Sequence, residues 1–494
     1  MSDRRVLRAV PDPLAVRADH DPDAPALRAR SARWTRRQLS EAVASLAAAL
    51  VAEGVGEGRR VASLLDDDAP AVMLIHALRG IGAVHVPLNR RAATAELTYQ
   101  LEAAGADVFL VDRANADLGR AAAPRGIPVL ASESLLGGAP CRPATRLRRD
   151  VALDAPATII FTSGTTGRPR GAILTHDAQR ASAHAWAGLL HAAPGFHWLA
   201  CLPLFHVAGL AVVTRATRWG SLLTVHDAFR PADVSAALAA GVTHVSLVPA
   251  QLQALLAVWG PRPAPPSLRA ILLGGGPIPS GLLQRARASG FPVLTTYGMT
   301  ETGSGVACGG GGPDTLADPS ALRSLPGVEL RVEPDGATDG SGEILVRGRM
   351  VFSGYVDDPA GTDPRSRDGW LHTGDIGTLD GHGLLRVLDR RDDLIVSGGE
   401  NIYPAEVEAV LLGCPGVQEA AVYAAPDPHW GSVPEAAIVT EAGRPDDETL
   451  IRHCRDRLAA YKVPRRFVRL HELPRNAGGK VLRRNLQGRA GSDP

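Results

Sequence analysis

The sequence of 494 residues is short of several things, and each shortage excludes a class of protein. It has five cysteines, Cys141, Cys201, Cys308, Cys414 and Cys454, odd in number, widely spaced and without a CxxC pair. A disulfide framework and a zinc site are therefore not expected, and a reducing compartment, the cytoplasm, is the expected location. No run of about 18 apolar residues occurs, so no membrane span is expected. The most apolar stretch, Cys201 to Thr214, already contains His206 and ends at Arg215. The start, MSDRRVLRAV, lacks the apolar core and small-residue cleavage site of a secretory leader. Charge of one sign is also lacking: 53 Lys and Arg stand against 52 Asp and Glu, a net charge of +1. A general nucleic-acid binder would carry a basic excess, so none is expected, although a local anion site stays compatible. Aromatic residues make up only 4%, which gives no sign of a dedicated ring-stacking pocket.

What is present describes a soluble globular chain of 45% hydrophobic and 21% charged residues. The length suggests two to four domains and is ample for a large core without staples. The 53 glycines and 38 prolines require many loops. Residues 35–55 read as an amphipathic helix with Thr35 as N-cap and Gly54 at its end. Arg60 to Asp67 reads as a strand, DAPAVMLIHALRGIGA as a helix and AVHVPLN as a strand. This alternation implies a parallel sheet covered by helices. ATIIF (157–161), HVSLVP (244–249), LRAILLGGG (268–276) and PVLTTYGMTE (292–301) repeat the strand pattern. Three of these run into polar, glycine-bearing loops at their carboxyl ends, where open parallel sheets hold ligands. From about Gly327, VELRVEPDG and GEILVRG alternate apolar and polar residues like strands of a small antiparallel or barrel-like subdomain. After the charged RRDD a new αβ pattern begins. PAEVEAVLLG and DDETLIRHCRDRLAAYKVP read as helices, the second ended by Pro464, and QEAAVYAAP and EAAIVTEAG read as strands. The domain boundary is expected near Arg390.

Five segments carry chemistry. FTSGTTGRPRG (161–171) packs Thr162, Ser163, Gly164, Thr165, Thr166 and Gly167 directly behind a buried strand. Glycines allow close backbone approach, and exposed amides and hydroxyls can surround phosphate oxygens. Arg168 and Arg170 add cationic forks. The segment is not a Walker A loop, since GxxxxGK[ST] is missing; read alone, a polar surface turn fits it equally. In YGMTE, Tyr297 offers a ring to a base and Glu301 an oxygen ligand to Mg²⁺. In GWLHTGDIG, Asp375 offers acceptors to ribose hydroxyls. DRRDDLIVSGGENIYPAEVE (389–408) is the fourth segment, and Lys480 in RNAGGKVLRR is the fifth. Taken singly, these also fit a structural Tyr, an acidic turn and a basic tail.

In this order along one chain, the five segments are far more specific than any alone. From about residue 10 to 487 the sequence resembles the adenylate-forming superfamily of acyl-CoA synthetases, peptide-synthetase adenylation domains and beetle luciferases. TSGTTGRPRG resembles the family's phosphate loop, with Arg170 where a lysine is usual. Within the superfamily, CLPLFHVAGL, LLGGGP, TYGMTET, SGGENIYP and ELPRNAGGK are most similar to the o-succinylbenzoate–CoA ligase branch of menaquinone synthesis. The resemblance implies an α/β fold. A large N-terminal domain (1–390) of stacked αβ sheets with the small barrel-like subdomain would bind ATP and acid. A small, mobile α+β lid (391–494) would carry the catalytic lysine. The implied reaction joins a carboxylic acid to coenzyme A through an acyl-adenylate, with ATP and Mg²⁺. A fatty or aryl acid, a carrier protein as acceptor, and a homo-oligomer stay open as alternatives. So, from a different class, does a nucleotide-binding protein without catalysis.

The resemblance also implies roles. Thr162 to Gly167 hold the β- and γ-phosphates, Glu301 the metal, and Thr300 the α-phosphate. Tyr297 packs on adenine beside the loop of Gly274, Gly275 and Gly276, while Asp375 and Arg390 hold the ribose. Lys480 bridges acid and α-phosphate. Asp392 is the hinge for a second lid position that brings Gly399 into the pantetheine channel. His206 stands beside the acid pocket and thiol tunnel; read alone, it also fits a satisfied, partly buried histidine. Arg215 or Arg218 would meet a second carboxylate of a diacid, the plainer alternative being surface cations on a helix.

Overall fold

The structure is a computed structural model. It describes the chain except residues 1–8, 31, 137–149, 163–168, 194, 277, 311–319, 335–339, 357–363, 366–367, 391–392, 394, 398–399, 403, 428–429, 442–443, 459, 476–480 and 487–494. The expected phosphate-loop residues Ser163 to Gly167, and Asp392, Gly399 and Lys480, thus lie outside the described residues.

The N-terminal helices form where the sequence supplies start signals and an apolar face. Thr35 caps the helix Arg36–Ala52: its Oγ1 accepts from the Gln38 amide at 3.3 Å, and the Gln38 side chain accepts from the Thr35 amide at 2.9 Å. Leu39, Val43, Leu46 and Leu50, three or four residues apart, are its buried face. The helix Ala69–Ile81 is different, since every residue but Pro70 is buried. An all-apolar helix is stable only when packed on all sides. It carries His76 and Arg79 inside with it, and burial, then the neighbouring Arg79, pushes the His76 imidazole down to about 3. Gly82, left-handed at φ 76°, ends it.

These helices cover two sheets. The six-stranded sheet runs in the order 170–175, 156–162, 84–87, 60–64, 108–111, 129–131 and is parallel except for the antiparallel edge strand Arg170–Thr175. In the thirteen-stranded sheet the parallel neighbours His244–Leu247, Ala270–Leu273 and Val293–Met299 lie side by side. Val328–Pro334 and Gly342–Gly348 pair antiparallel, as their alternation predicts. They continue through Leu371–Leu379 and Leu384–Arg390 to Leu322–Ser324 and Ser304–Gly309. The expected barrel-like piece is thus an antiparallel extension of the large sheet, hydrogen-bonded to it edge to edge.

A short segment joins the two sheets. Ile173 and Val356 amides donate to Gly354 and Gly171 carbonyls, the Ser353 amide donates to Ile173, and the Phe352 amide donates to the Glu301 carbonyl at 2.8 Å. Ala172 bridges to Tyr355. Residues 352–356 are therefore tied to the edge of one sheet and to the turn that follows Val293–Met299 in the other.

The small C-terminal domain has a five-stranded sheet, Glu400–Ile402, Ile395–Ser397, Gly431–Thr440 and Val417–Asp427 in order, with Phe467–Arg469 added parallel to Gly431–Thr440. Pro404–Leu412 and Asp447–Arg455 cover it, burying Ile395, Val407, Leu411, Val422, Ile438 and Leu450 in its own core. The second helix is shorter than the expected run to Pro464. The Arg457 and Leu458 amides both close on the Cys454 carbonyl, at 3.0 and 2.8 Å, and Val463 then turns into the core. No Gly or Pro stands between Arg455 and Val463, so no local breaker marks this helix end.

Candidate active site

Several of the candidate side chains lie in strands or just beyond their ends. Ala270–Leu273 and Val293–Met299 are parallel neighbours, and the glycine loop and the YGMTE turn lie at their carboxyl ends. A Cβ at Gly274 would run into Thr296 Oγ1 and the Thr296 carbonyl, so only glycine allows this approach. Gly275, at φ 82°, takes the left-handed turn that follows. Tyr297 lies beside this loop, and its hydroxyl donates to Asp375 Oδ2 at 2.8 Å. Asp375 is 6% exposed and comes from a different strand, Leu371–Leu379. Its amide donates to Thr373 Oγ1 at 3.1 Å, and in the strand register it faces Arg390. Tyr297 and Asp375, 78 residues apart, thus meet, with the Arg390 backbone opposite Asp375. The Arg390 side chain itself is outside the described atoms.

Thr300 and Glu301 occupy a single turn of 3₁₀ helix, Thr300–Thr302. The turn is fixed from inside by Thr302, whose hydroxyl accepts from the Met299 amide at 3.0 Å. Glu301 is 5% exposed. The Tyr355 hydroxyl donates to its Oε1 at 2.7 Å, and Oε2 has no hydrogen-bond partner among the described residues. Arg170 Cζ lies 4.1 Å above the centre of the Tyr355 ring, and its Nη2 donates to the Tyr355 hydroxyl at 3.3 Å. Arg170 pairs in register with Thr162, whose Oγ1 donates to the Arg170 carbonyl at 3.4 Å. The start of the 163–168 loop and Glu301 are thereby linked through two side chains. Among the described residues no group of three His, Cys, Asp or Glu exists that would cage a metal. One carboxylate with an open oxygen suits Mg²⁺, which keeps waters and takes its other ligands from phosphate.

The third group is the start and flank of the helix Val207–Trp219. His206 is its N-cap residue but makes no side-chain cap bond. Phe205 packs at 4.5 Å between ring centres, and burial, then Arg91, lowers the imidazole to about 4, so it is neutral at pH 7. The Leu204 amide donates to Asp67 Oδ1 at 2.8 Å, and burial raises that carboxyl to about 6. Further along, Arg215 is 2% exposed. Its Nη2 donates to Ser304 Oγ at 3.2 Å, and its Cζ lies 5.1 Å from the Trp186 ring centre. Neither Nε nor Nη1 has a hydrogen-bond partner among the described residues. Burial brings the guanidinium down to about 9, still charged at neutral pH. A narrow cavity lined by Gln179, Ser182, Val207, Leu210, Arg215 and Gly303 places this flank beside the turn that holds Glu301. A surface position on the helix is excluded for Arg215. Among the described residues no hydrogen bond or ring contact joins His206 to Glu301, Tyr297 or Asp375.

This chain resembles known proteins over nearly its whole length. The model of the AMP-binding enzyme family matches residues 14–356, and that of the AMP-binding enzyme C-terminal domain matches 406–480. The chain belongs to the AMP-binding enzyme family. A 2-succinylbenzoate–CoA ligase of Bacillus cereus (strain Q1) is 39% identical over 485 residues, 97% of this chain and 99% of that protein. The o-succinylbenzoate CoA synthetase (MenE) of Bacillus subtilis, solved with the acyl-adenylate OSB-AMP, is 37% identical. It superposes with a TM-score of 0.91 over 97% of this chain and 98% of that one. The same enzyme with ATP and magnesium gives 0.90 at 37% identity, covering 97% and 99%. The described geometry has two features that the sequence motifs did not announce, Tyr355 and the interior placement of Arg215. Tyr355 stands as a lone aromatic in SGYVDD. Arg215 falls four residues after Ala211 on the buried stripe of its helix, where a cation is out of place. That misplacement is the signal that would have found it.

Proposed function

We propose that the protein is an AMP-forming o-succinylbenzoate–CoA ligase. The acid attacks the α-phosphorus of ATP, giving acyl-AMP and pyrophosphate; the thiol of CoA then takes the acyl group and AMP leaves. The observation that carries the choice of acid is Arg215, a buried, charged guanidinium with open donors, bonded to Ser304 just beyond the turn that holds Glu301. A dicarboxylate leaves one carboxylate to be paired after the other is activated, and a desolvated Arg fork is suited to it. The named activities of the 2-succinylbenzoate–CoA ligase relatives support the same acid.

The first half-reaction brings two anions together, so positive charge and pre-aimed donors are its main need. Thr162 to Gly167 surround the β- and γ-phosphates, and Thr300 contacts the α-phosphate. Glu301 would hold Mg²⁺, which would supply neutralisation of phosphate charge. Tyr297 packs on adenine along the Gly274 to Gly276 loop; Asp375 and Arg390 hold the ribose. Lys480 bridges the two reactants. Of the 53 basic residues only Lys462 and Lys480 are lysines, and Lys462 is paired with Glu406 at 2.7 Å. A lysine kept in so arginine-rich a chain supports a task for a point charge on a flexible stem. The domains divide at 390/391, Asp392 is the hinge, Gly399 lines the pantetheine channel, and His206 borders the acid pocket as a neutral ring. Four buried free thiols, Cys201, Cys308, Cys414 and Cys454, support a cytoplasmic setting. No helix among the described residues is long and apolar enough to cross a membrane.

AMP release with and without CoA, over o-succinylbenzoate, benzoates and fatty acids of graded length, tests this reading. AMP and thioester formation favouring o-succinylbenzoate is expected. Equal rates across the panel would remove the choice of acid, and preference for a carrier-bound thiol would remove CoA.

A further inference from the structure

Arg170 was expected to serve phosphate. Its guanidinium also lies on Tyr355, and the consequence for Glu301 follows from a count of protons. A guanidinium only donates, and a phenol has one proton. Arg170 Nη2 lies 3.3 Å from the Tyr355 oxygen and uses it as acceptor. The phenol proton is thereby directed away from Arg170, toward Glu301 Oε1 at 2.7 Å, a charge-assisted bond. The ring is held on its other sides. Phe352 meets it edge-on at 4.8 Å and 67°, and the Tyr355 backbone bridges Ala172. The Phe352 amide donates to the Glu301 carbonyl, so carboxylate and phenol belong to one fixed unit. One carboxylate oxygen is occupied, and the other is left as donor.

We propose that Tyr355 is a positioning residue for Glu301, with Arg170 fixing the direction of its hydroxyl proton. This rests on the reading of Glu301 as the protein ligand of the magnesium nucleotide. A glutamate with a free rotor would have to be ordered each time the metal nucleotide binds, whereas one oriented in advance is ready. A lysine at 170 would supply charge and a donor but no planar stack. Arginine does both.

The test is the thermal shift that ATP induces at graded Mg²⁺, with an EDTA control, alongside steady-state kinetics. Tyr355→Phe is expected to need about tenfold more Mg²⁺ for half of the metal-dependent shift, the equivalent of one hydrogen bond to a charged group. Its melting temperature without nucleotide should fall somewhat, since Glu301 loses this hydrogen bond, while its shift with ATP in EDTA should match the wild type. KM for the magnesium nucleotide should rise while kcat at saturation holds. Arg170→Met should move the same way by a smaller factor, and Arg170→Lys should recover part of the loss. Glu301→Gln serves as the reference and should remove the metal-dependent shift. If it does not, the reading of Glu301 fails, and the role of Tyr355 with it. If Glu301→Gln removes the shift while Tyr355→Phe titrates like the wild type or binds Mg²⁺ more tightly, the positioning claim alone is overturned. Should Tyr355→Phe fail to fold, a wild-type Mg²⁺ titration in Arg170→Met overturns it equally.

Discussion

The proposed nucleotide side and the proposed acid side of the site are built from different materials. On the nucleotide side, Tyr297, Glu301 and Asp375 sit in or just beyond strands, and their partners are other polar groups: a carboxylate for Tyr297, a phenol for Glu301. On the acid side, His206 stands at the N-cap of one helix and Arg215 lies within it, and they face the Phe205 and Trp186 rings, with the Ser304 hydroxyl as the one polar partner described for Arg215. Phosphate, ribose and metal are common to every ATP user, so the groups that meet them recur in short polar strings with glycine. An acid pocket is fitted to one substrate, and the residue proposed to decide it is a single cation hidden in an apolar stripe. General chemistry is thus written in motifs, and specificity in exceptions to the packing pattern.

The largest expected effect separates the two sides. Glu301→Gln should lower acyl-AMP formation with every acid by about a hundredfold or more, as removal of a charged electrostatic contact in a closed site does. A loss confined to one acid would show that Glu301 belongs to the acid side. Asp375→Asn comes next. It removes the charge facing the Tyr297 hydroxyl, and KM for ATP should rise about tenfold, with the ranking of acids unchanged. A reordered ranking would break the division.

The smallest effect concerns His206. Its folded value of about 4 lies below the usual 6.5, with burial as the main cause. The native state therefore binds fewer protons there than the unfolded chain between pH 4 and 6.5. Its contribution to stability is intact above pH 6.5 and is lost as pH falls toward 4, by up to about 3 kcal/mol. Urea titrations at pH 7 and pH 5 should show a smaller loss for His206→Asn than for the wild type. In acid turnover, no inflection near pH 6.5 should disappear on that substitution. Its disappearance would mean that His206 titrates as an exposed imidazole and works as an acid or base.

The same contrast sets what was legible in the sequence. The helix Arg36–Ala52 was readable because Thr35 and Gln38 form a local capping box. The strand ends were readable because glycine and hydroxyl residues follow short β-branched runs. Asp375 and Tyr297 were readable as chemistry, but their 2.8 Å contact was not, since 78 residues separate them. The end of the helix Asp447–Arg455 was hidden because no Gly or Pro follows it before Pro464. Tyr355 was missed because its meaning lies wholly in two partners from distant segments. Arg215 was one of two candidates on its helix, and the interior position that separates it from a surface cation appears only when the stripe is packed.

The most direct measurement of the central claim is a competition between o-succinylbenzoate and a benzoate lacking the second carboxylate, in the wild type and in Arg215→Met. The account predicts that the substitution lowers kcat/KM for the diacid about tenfold to a hundredfold, as loss of a buried charged pair does. It predicts little change for the monoacid, and no loss of melting temperature, because a buried cation without an anion is replaced by an apolar chain. An equal fall for both acids, with the ratio of the two kcat/KM values preserved, would contradict it.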